Sequence, residues 1–230
     1  MKVLLVLYNE FRTFETTLKT YNIFNHADVD VIVHTQGTEI IKEKIKAKLP
    51  NSIIYLEDID AWKNFKTKNH KSPTKHSFFK IKEILNSLDK HYDLICINRM
   101  DSTMYINEIE SFLKNYNKNK IYIHQEIIKD KSDWFVPDHF FLGTHESIKY
   151  FFDNFTDDID SHDGVAKYLD ALPYENGIWE QGLYSIHIRP NMEAFINENI
   201  NSDFSNKFFH WMYVDMEHKV LEAEWKGYQI

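Results

Sequence analysis

The sequence predicts an α/β protein built on a mostly parallel, doubly wound sheet flanked by helices. Two observations predict it. Val3-Leu-Leu-Val-Leu-Tyr8 is an unbroken apolar run, which suits a central parallel strand buried on both faces. The first 56 residues then alternate strand, helix, strand, helix, strand, the opening order of such a sheet.

The elements follow in order. Asn9-Glu-Phe-Arg12 is a loop, and Thr13–Phe24 reads as a helix with Phe14, Leu18 and Tyr21 near helical spacing. Thr13 is placed to cap it, and Thr16 and Thr17 weaken its propensity. Asp30–His34 is a second strand, ended by Thr35-Gln-Gly37. Glu39–Lys48 is a charged helix with Ile40, Ile41 and Ile45 on its apolar side, stopped by Pro50. Ile53–Leu56 is a third strand. Residues 57–77 show no period and form the most basic stretch, with lysines 63, 66, 68, 71 and 75; they read either as a loop for an anionic ligand or as a solvated loop. Phe78–Asp89 is a helix whose buried set is Phe79, Ile81, Ile84, Leu85 and Leu88. It leads to the fourth strand, Leu94–Asn98, which ends in Arg99-Met-Asp101 followed by Ser102 and Thr103.

Beyond that triplet, Ile106–Tyr116 is read as a helix and Lys120–His124 as a strand. Asp133–Asp138 is a turn-rich entry to His139–Gly143, and Thr144 caps a helix over Glu146–Asn154. The acidic run 156–164 lacks the spacing of a calcium loop. Val165–Asp170 is a candidate helical turn. The apolar stretch after Glu180 is open between helix and edge strand. The aromatic tail from Asn191 to Ile230 packs on the sheet or forms an interface, so a homo-oligomer is an open expectation. Residues 1–190 are expected to form one catalytic domain, with 1–101 as the nucleotide-binding half and 102–190 as the acceptor-side half; 191–230 is an extension of it.

Composition narrows the function classes. A net charge of −8 leaves no basic surplus to displace counterions along a nucleic-acid backbone. Only three of the 27 basic side chains are arginines, Arg12, Arg99 and Arg189, so each stands out. The single cysteine, Cys96, sits in an apolar run and reads as a small buried hydrophobe. Met1–Tyr8 has no cleavage-site pattern, and no apolar run approaches membrane-spanning length; the expected location is cytoplasmic. With six glycines in all, the chain has no Gly-x-Gly-x-x-Gly after its first strand and no phosphate-binding P-loop. It also lacks zinc-type cysteine pairs and a Gly-x-Ser-x-Gly elbow.

What remains is a group of polar residues at strand ends: Asn9 and Arg12 after the first strand, Thr35 after the second, Arg99 and Asp101 after the fourth. Parallel strands bring such ends to one edge. Arg12 and Arg99 offer forked donors suited to a diphosphate. Asp101 suits a sugar or ribose hydroxyl, or a divalent cation. In the other reading Arg99 and Asp101 only pair with other residues to fix the loop.

The order of the first strand, Arg12, the Val-His-Thr strand end, Arg99-Met-Asp101, and Asp133 with Pro137-Asp-His-Phe-Phe-Leu-Gly-Thr144 resembles the nucleotide-sugar glycosyltransferases of the GT-A fold. It is most similar to the small bacterial and viral transferases of capsule and lipopolysaccharide sugars. That resemblance implies a GT-A-like, Rossmann-like sheet and transfer of a sugar from a nucleoside-diphosphate sugar to a glycan, lipid-linked sugar or other hydroxyl acceptor, in polysaccharide or glycoconjugate synthesis. It also implies Mn2+ or Mg2+ held at an Asp-x-Asp, of which Asp101 matches the last residue. Arg99 replaces the first aspartate, so action without a metal is equally an expectation. Asp138 and Glu180 are the carboxylates expected near the acceptor hydroxyl as base. Arg12, Arg99 and one lysine of the basic stretch, taken as Lys75, would serve the leaving diphosphate; Trp179 is a candidate stacking surface. Inverting and retaining outcomes both stay open. Two alternatives accompany this reading. One is a sugar-phosphate nucleotidyltransferase, against which the glycine-free loop Asn9–Arg12 counts. The other is a non-catalytic protein that binds a sugar nucleotide or a glycan.

Overall fold

The computed structural model describes residues 1–58, 73–106, 108–123, 140–156, 172–178 and 183–184. Its centre is a seven-stranded sheet. In chain order the strands are β1 (Lys2–Tyr8), β2 (Asp28–Gln36), β3 (Ile53–Glu57), β4 (Leu94–Arg99), β6 (Lys120–Ile123), β7 (Phe140–Gly143) and β8 (Glu175–Ile178). Their spatial order is β3-β2-β1-β4-β7-β6-β8. The β1–β2, β1–β4, β2–β3 and β6–β8 pairs are parallel, and β7 runs antiparallel to both of its neighbours. A second, two-stranded sheet pairs β5 (Tyr105–Ile106) with β9 (Leu183–Tyr184). The mostly parallel α/β architecture expected from the sequence is the one observed.

The sheet is covered on both faces because its central strands carry unbroken apolar runs, Val3–Tyr8 in β1 and Leu94–Ile97 in β4. In β1 the period of two sends Val3, Leu5 and Leu7 to one face and Leu4, Val6 and Tyr8 to the other. On the first face lie α1 (Phe14–Thr17), α2 (Glu39–Lys48) and α4 (Ile109–Asn115), contributing Phe14, Ile45, Ile109 and Leu113. On the second lie α3 (Pro73–Asn86) and α5 (His145–Asp153), contributing Phe78, Ile81, Ile148, Phe151 and Phe152. Each such side chain, fully buried, stabilises the fold by about 1.5–3 kcal/mol. Phe78 is the hub of the second face: its ring meets those of Tyr8, Phe141, Phe151, Phe152 and Phe155 at centroid distances of 5.1–6.5 Å, all close to edge-on.

Several expectations are corrected. The helix over 13–24 is only one turn of α-helix followed by two 3₁₀ turns, Leu18–Thr20 and Asn22–Asn25, and Thr13 makes no side-chain capping bond. Threonine side chains explain the interruption, because they bond to backbone rather than face solvent. Helix α3 begins at Pro73 and stops at Asn86, so Lys75 lies in its first turn and not in a loop. Phe78, not Phe79, is its buried aromatic; Phe79 is half-buried. Ile106 belongs to a strand, and helix α4 starts three residues later. The stretch after Glu180 pairs as a strand at 183–184.

The cap at α5 matches its expectation. Thr144 Oγ1 accepts the Ser147 amide at 3.2 Å. Gly143 before it is tightly placed, since a Cβ there would stand 2.5 Å from Ser147 Oγ. Among the described residues no helix is long and apolar enough to cross a membrane. The acidic run from Asp157, the turn at Val165–Asp170 and the tail from Asn191 lie outside the described residues.

Candidate functional site

The carboxyl ends of β1, β2 and β4 lie side by side. Tyr8 is in register with His34 on one side and Arg99 on the other, and the Met100 amide donates to the Tyr8 carbonyl at 2.9 Å. Asn9, Thr35 and the Arg99–Asp101 turn therefore share one edge of the sheet, as the parallel strands require.

The first exit is braced. Asn9 has φ of +81°, a region that asparagine tolerates better than most residues. Its carbonyl accepts a 2.6 Å hydrogen bond from the buried Thr35 hydroxyl. Thr35 thus holds backbone here. Arg12 stands further out, about half exposed, with its guanidinium on the Glu10 carboxylate.

The fourth exit is locked more firmly. Met100, Asp101, Ser102, Thr103 and Met104 are all fully buried. The segment after β1 holds them. Thr17 donates to the Met100 carbonyl at 2.6 Å, the Met104 amide donates to Thr20 at 3.0 Å, and the Tyr21 hydroxyl donates to the Ser102 carbonyl at 2.9 Å. That hydroxyl in turn accepts from Asn98 Nδ2 at 2.8 Å. Burial first of all pushes the Tyr21 phenol far above its usual value, so it remains a donor.

Within this cage Arg99 and Asp101 form a bidentate pair. Arg99 Nε meets Oδ1 at 2.8 Å and one terminal nitrogen meets Oδ2 at 2.9 Å. The Asp101 side chain is 0% exposed and that of Arg99 12%. Each carboxylate oxygen accepts one bond from the guanidinium. The pair accounts for two of the five N–H donors of a guanidinium. Ser102 Oγ, beside the pair in sequence, is buried and makes no hydrogen bond among the described residues. It belongs with the candidate site, and the strand-end position next to Asp101 is the signal that marks it.

Lys75 sits on α3, on the β3 side of the sheet. Asp138, Trp179 and Glu180 lie outside the described residues; the first precedes β7, and the other two follow β8. Cys96 is buried and reduced, its thiol pushed up by burial, in keeping with a core role.

A second polar group stands at the outer strands. Glu57, the last residue of β3, faces two histidine rings: His76 Nε2 at 2.6 Å and His34 Nε2 at 3.4 Å. Burial acts to raise the Glu57 carboxyl, but the two facing rings outweigh it and hold it well below its ordinary value. A depressed folded value means that Glu57 adds stability at neutral pH, which is lost as pH falls below about 5. Glu57→Gln should therefore flatten the acid limb of the melting-temperature curve, measured by circular dichroism, relative to the parent chain.

No family model matches the chain, and no curated protein matches it in sequence. Solved structures do resemble it. A 4-diphosphocytidyl-2C-methyl-D-erythritol synthase aligns over 88% of this chain and 99% of its own, with TM-score 0.54 and 10% identity. The enzyme of that name from Anaerococcus prevotii DSM 20548 aligns over 86% and 96%, with TM-score 0.48 and 16% identity. The galactosyltransferase LgtC, solved with donor and acceptor sugar analogues, aligns over 76% and 67%, with TM-score 0.46 and 14% identity. At such identities the likeness is one of fold. The chain shares the α/β fold of the first of these, the synthase aligned at TM-score 0.54.

Proposed function

We propose that this chain is a glycosyltransferase that moves a sugar from a nucleoside-diphosphate sugar to a hydroxyl of a glycan or lipid-linked acceptor. The observation that supports it is the shared edge: β1, β2, β4, β6 and β8 all end there, and β7 begins there with Phe140 opposite Asn98. In open α/β sheets, ligands bind outside the carboxyl ends of the strands. Every proposed site residue except Lys75 falls at or shortly beyond one of those ends, or just before β7, in the sequence.

In this reading the Asn9 loop and the Arg99–Asp101 turn form the floor under the donor. Asp101 orients the Arg99 fork, and Arg99 with Arg12 stabilises negative charge on the departing diphosphate. Asp138 or Glu180 takes the acceptor proton if the transfer inverts, and Trp179 stacks on the sugar or base. In this reading Asp101 serves Arg99 and is given no metal-holding role. Synthesis of a surface polysaccharide or glycoconjugate in the cytoplasm is the setting that this chemistry fits.

The test is product identity. The full chain is incubated with a panel of nucleotide sugars and simple glycan acceptors, with chelator or with Mn2+. Release of a nucleoside diphosphate from one donor, persisting in chelator, is the expected result. Release of pyrophosphate from a nucleoside triphosphate and a sugar phosphate would mean nucleotidyl transfer instead. Binding of a donor without turnover would leave a non-catalytic binder.

A further inference from the structure

The His34–Glu57–His76 group stands on β2 and β3, two and three strands from β4, about 10–14 Å across the sheet at ordinary strand spacing. It plays no part in the transfer reading and stands or falls without it. Three elements build it. His34 comes from the end of β2, Glu57 ends β3, and His76 stands in the first turn of α3. One ligand atom from each lies within 4.8 Å of the other two.

His34 points to an absent partner. The residue is 4% exposed, both ring nitrogens are buried, and among the described residues neither makes a hydrogen bond. Its Nε2 lies 3.4 Å from Glu57 Oε1 without the alignment of a hydrogen bond. An unsatisfied buried polar group costs about 1–3 kcal/mol, and this one is aimed at an ionised carboxylate that already faces a second imidazole. There is an approach route as well. A cavity of about 690 Å³ between α2, β3 and α3 is lined by His34, Glu57, Tyr55 and Lys80 among others.

We propose that His34, Glu57 and His76 bind a first-row divalent transition cation, with zinc the foremost choice. Two imidazoles and one carboxylate suit such an ion, whereas Mg2+ and Ca2+ prefer sets made of oxygen. Three protein ligands leave a fourth position for water. Metal–ligand bonds of about 2.0–2.2 Å place tetrahedral ligand atoms about 3.4 Å apart. The separation of His34 Nε2 from Glu57 Oε1 already has that value, and His76 Nε2, now 2.6 Å from the other oxygen, Oε2, needs only a small shift, since one ligand atom from each residue lies within 4.8 Å of the others. Once bound, the ion ties the edge strand β3 to β2 and α3.

The full chain, stripped with chelator, is titrated with zinc chloride alone by calorimetry and by competition with a chromophoric chelator. The expected result is one tight equivalent and a rise in melting temperature, with no comparable binding of Mg2+. His76→Gln and Glu57→Gln, both at half-buried positions, should each weaken that equivalent by more than the roughly 10–100-fold that loss of an outer-shell partner costs. His91→Gln, an exposed histidine elsewhere, should leave it unchanged. Absence of a tight equivalent in the parent chain would overturn the proposal. So would zinc binding that survives both substitutions in variants whose circular dichroism is unaltered, since other histidines would then be the ligands.

Discussion

Phe78→Ala is expected to destabilise the protein by about 3–5 kcal/mol, the cost of deleting a fully buried aromatic and leaving its cavity. Phe78 is 1% exposed and touches five other rings, from β1, β7, α5 and Phe155 just beyond α5. The loss therefore loosens α3 from the sheet and from α5 together. Urea denaturation of the variant should show a lower midpoint at unchanged slope. In a chain of this size each kcal/mol corresponds to about 2–4 °C of melting temperature. Phe79→Ala, at the neighbouring half-buried position, should lose clearly less. Equal losses at 78 and 79 would mean that the helix is rotated from the orientation described.

The second large effect is at the strand-end pair. Arg99→Met leaves the Asp101 carboxylate buried without its guanidinium, and breaking a buried pair in this way costs about 3–5 kcal/mol. The double variant Arg99→Met/Asp101→Leu removes both charges and should regain most of that loss, because well-packed apolar residues often replace such a pair at little cost. A double-mutant cycle by chemical denaturation measures the coupling. The same double variant separates structure from function. It should fold yet fail to bind a nucleoside diphosphate, if the guanidinium serves the donor as proposed.

The strands of the nucleotide-binding half were legible because they are short apolar runs with abrupt polar ends, as in Val3–Tyr8 and Leu94–Asn98. Helix α2 was legible from its apolar side and Pro50. The segment after β1 was not. Its spacing suits a helix, but Thr17, Thr20 and Tyr21 spend their hydroxyls on the β4 exit, 80 or so residues away, and that demand breaks the helix into turns. Phe78 and Phe79 could not be ranked without knowing that α3 begins at Pro73. The antiparallel run of β7 has no signature in four residues buried on both faces, since a periodicity carries no direction. At the candidate site, the convergence of Asn9, Thr35, Arg99 and Asp101 followed from strand order alone. That Arg99 turns its fork onto Asp101 itself was not among the sequence readings, which paired each with other residues; only the side-chain geometry shows it. The His34–Glu57–His76 group was hidden because its members are 23 and 19 positions apart and no local spacing joins them.

The most direct measurement of the central claim is equilibrium binding of nucleoside diphosphates by calorimetry, with chelator and with Mn2+, to the parent chain and to Arg12→Ala. Arg12 is exposed enough that its removal should leave the fold intact. The account predicts that one diphosphate binds in chelator and that Arg12→Ala weakens it about 10–100-fold, the worth of a hydrogen bond to a charged group. Failure of every nucleoside diphosphate to bind the parent chain in either condition would contradict it.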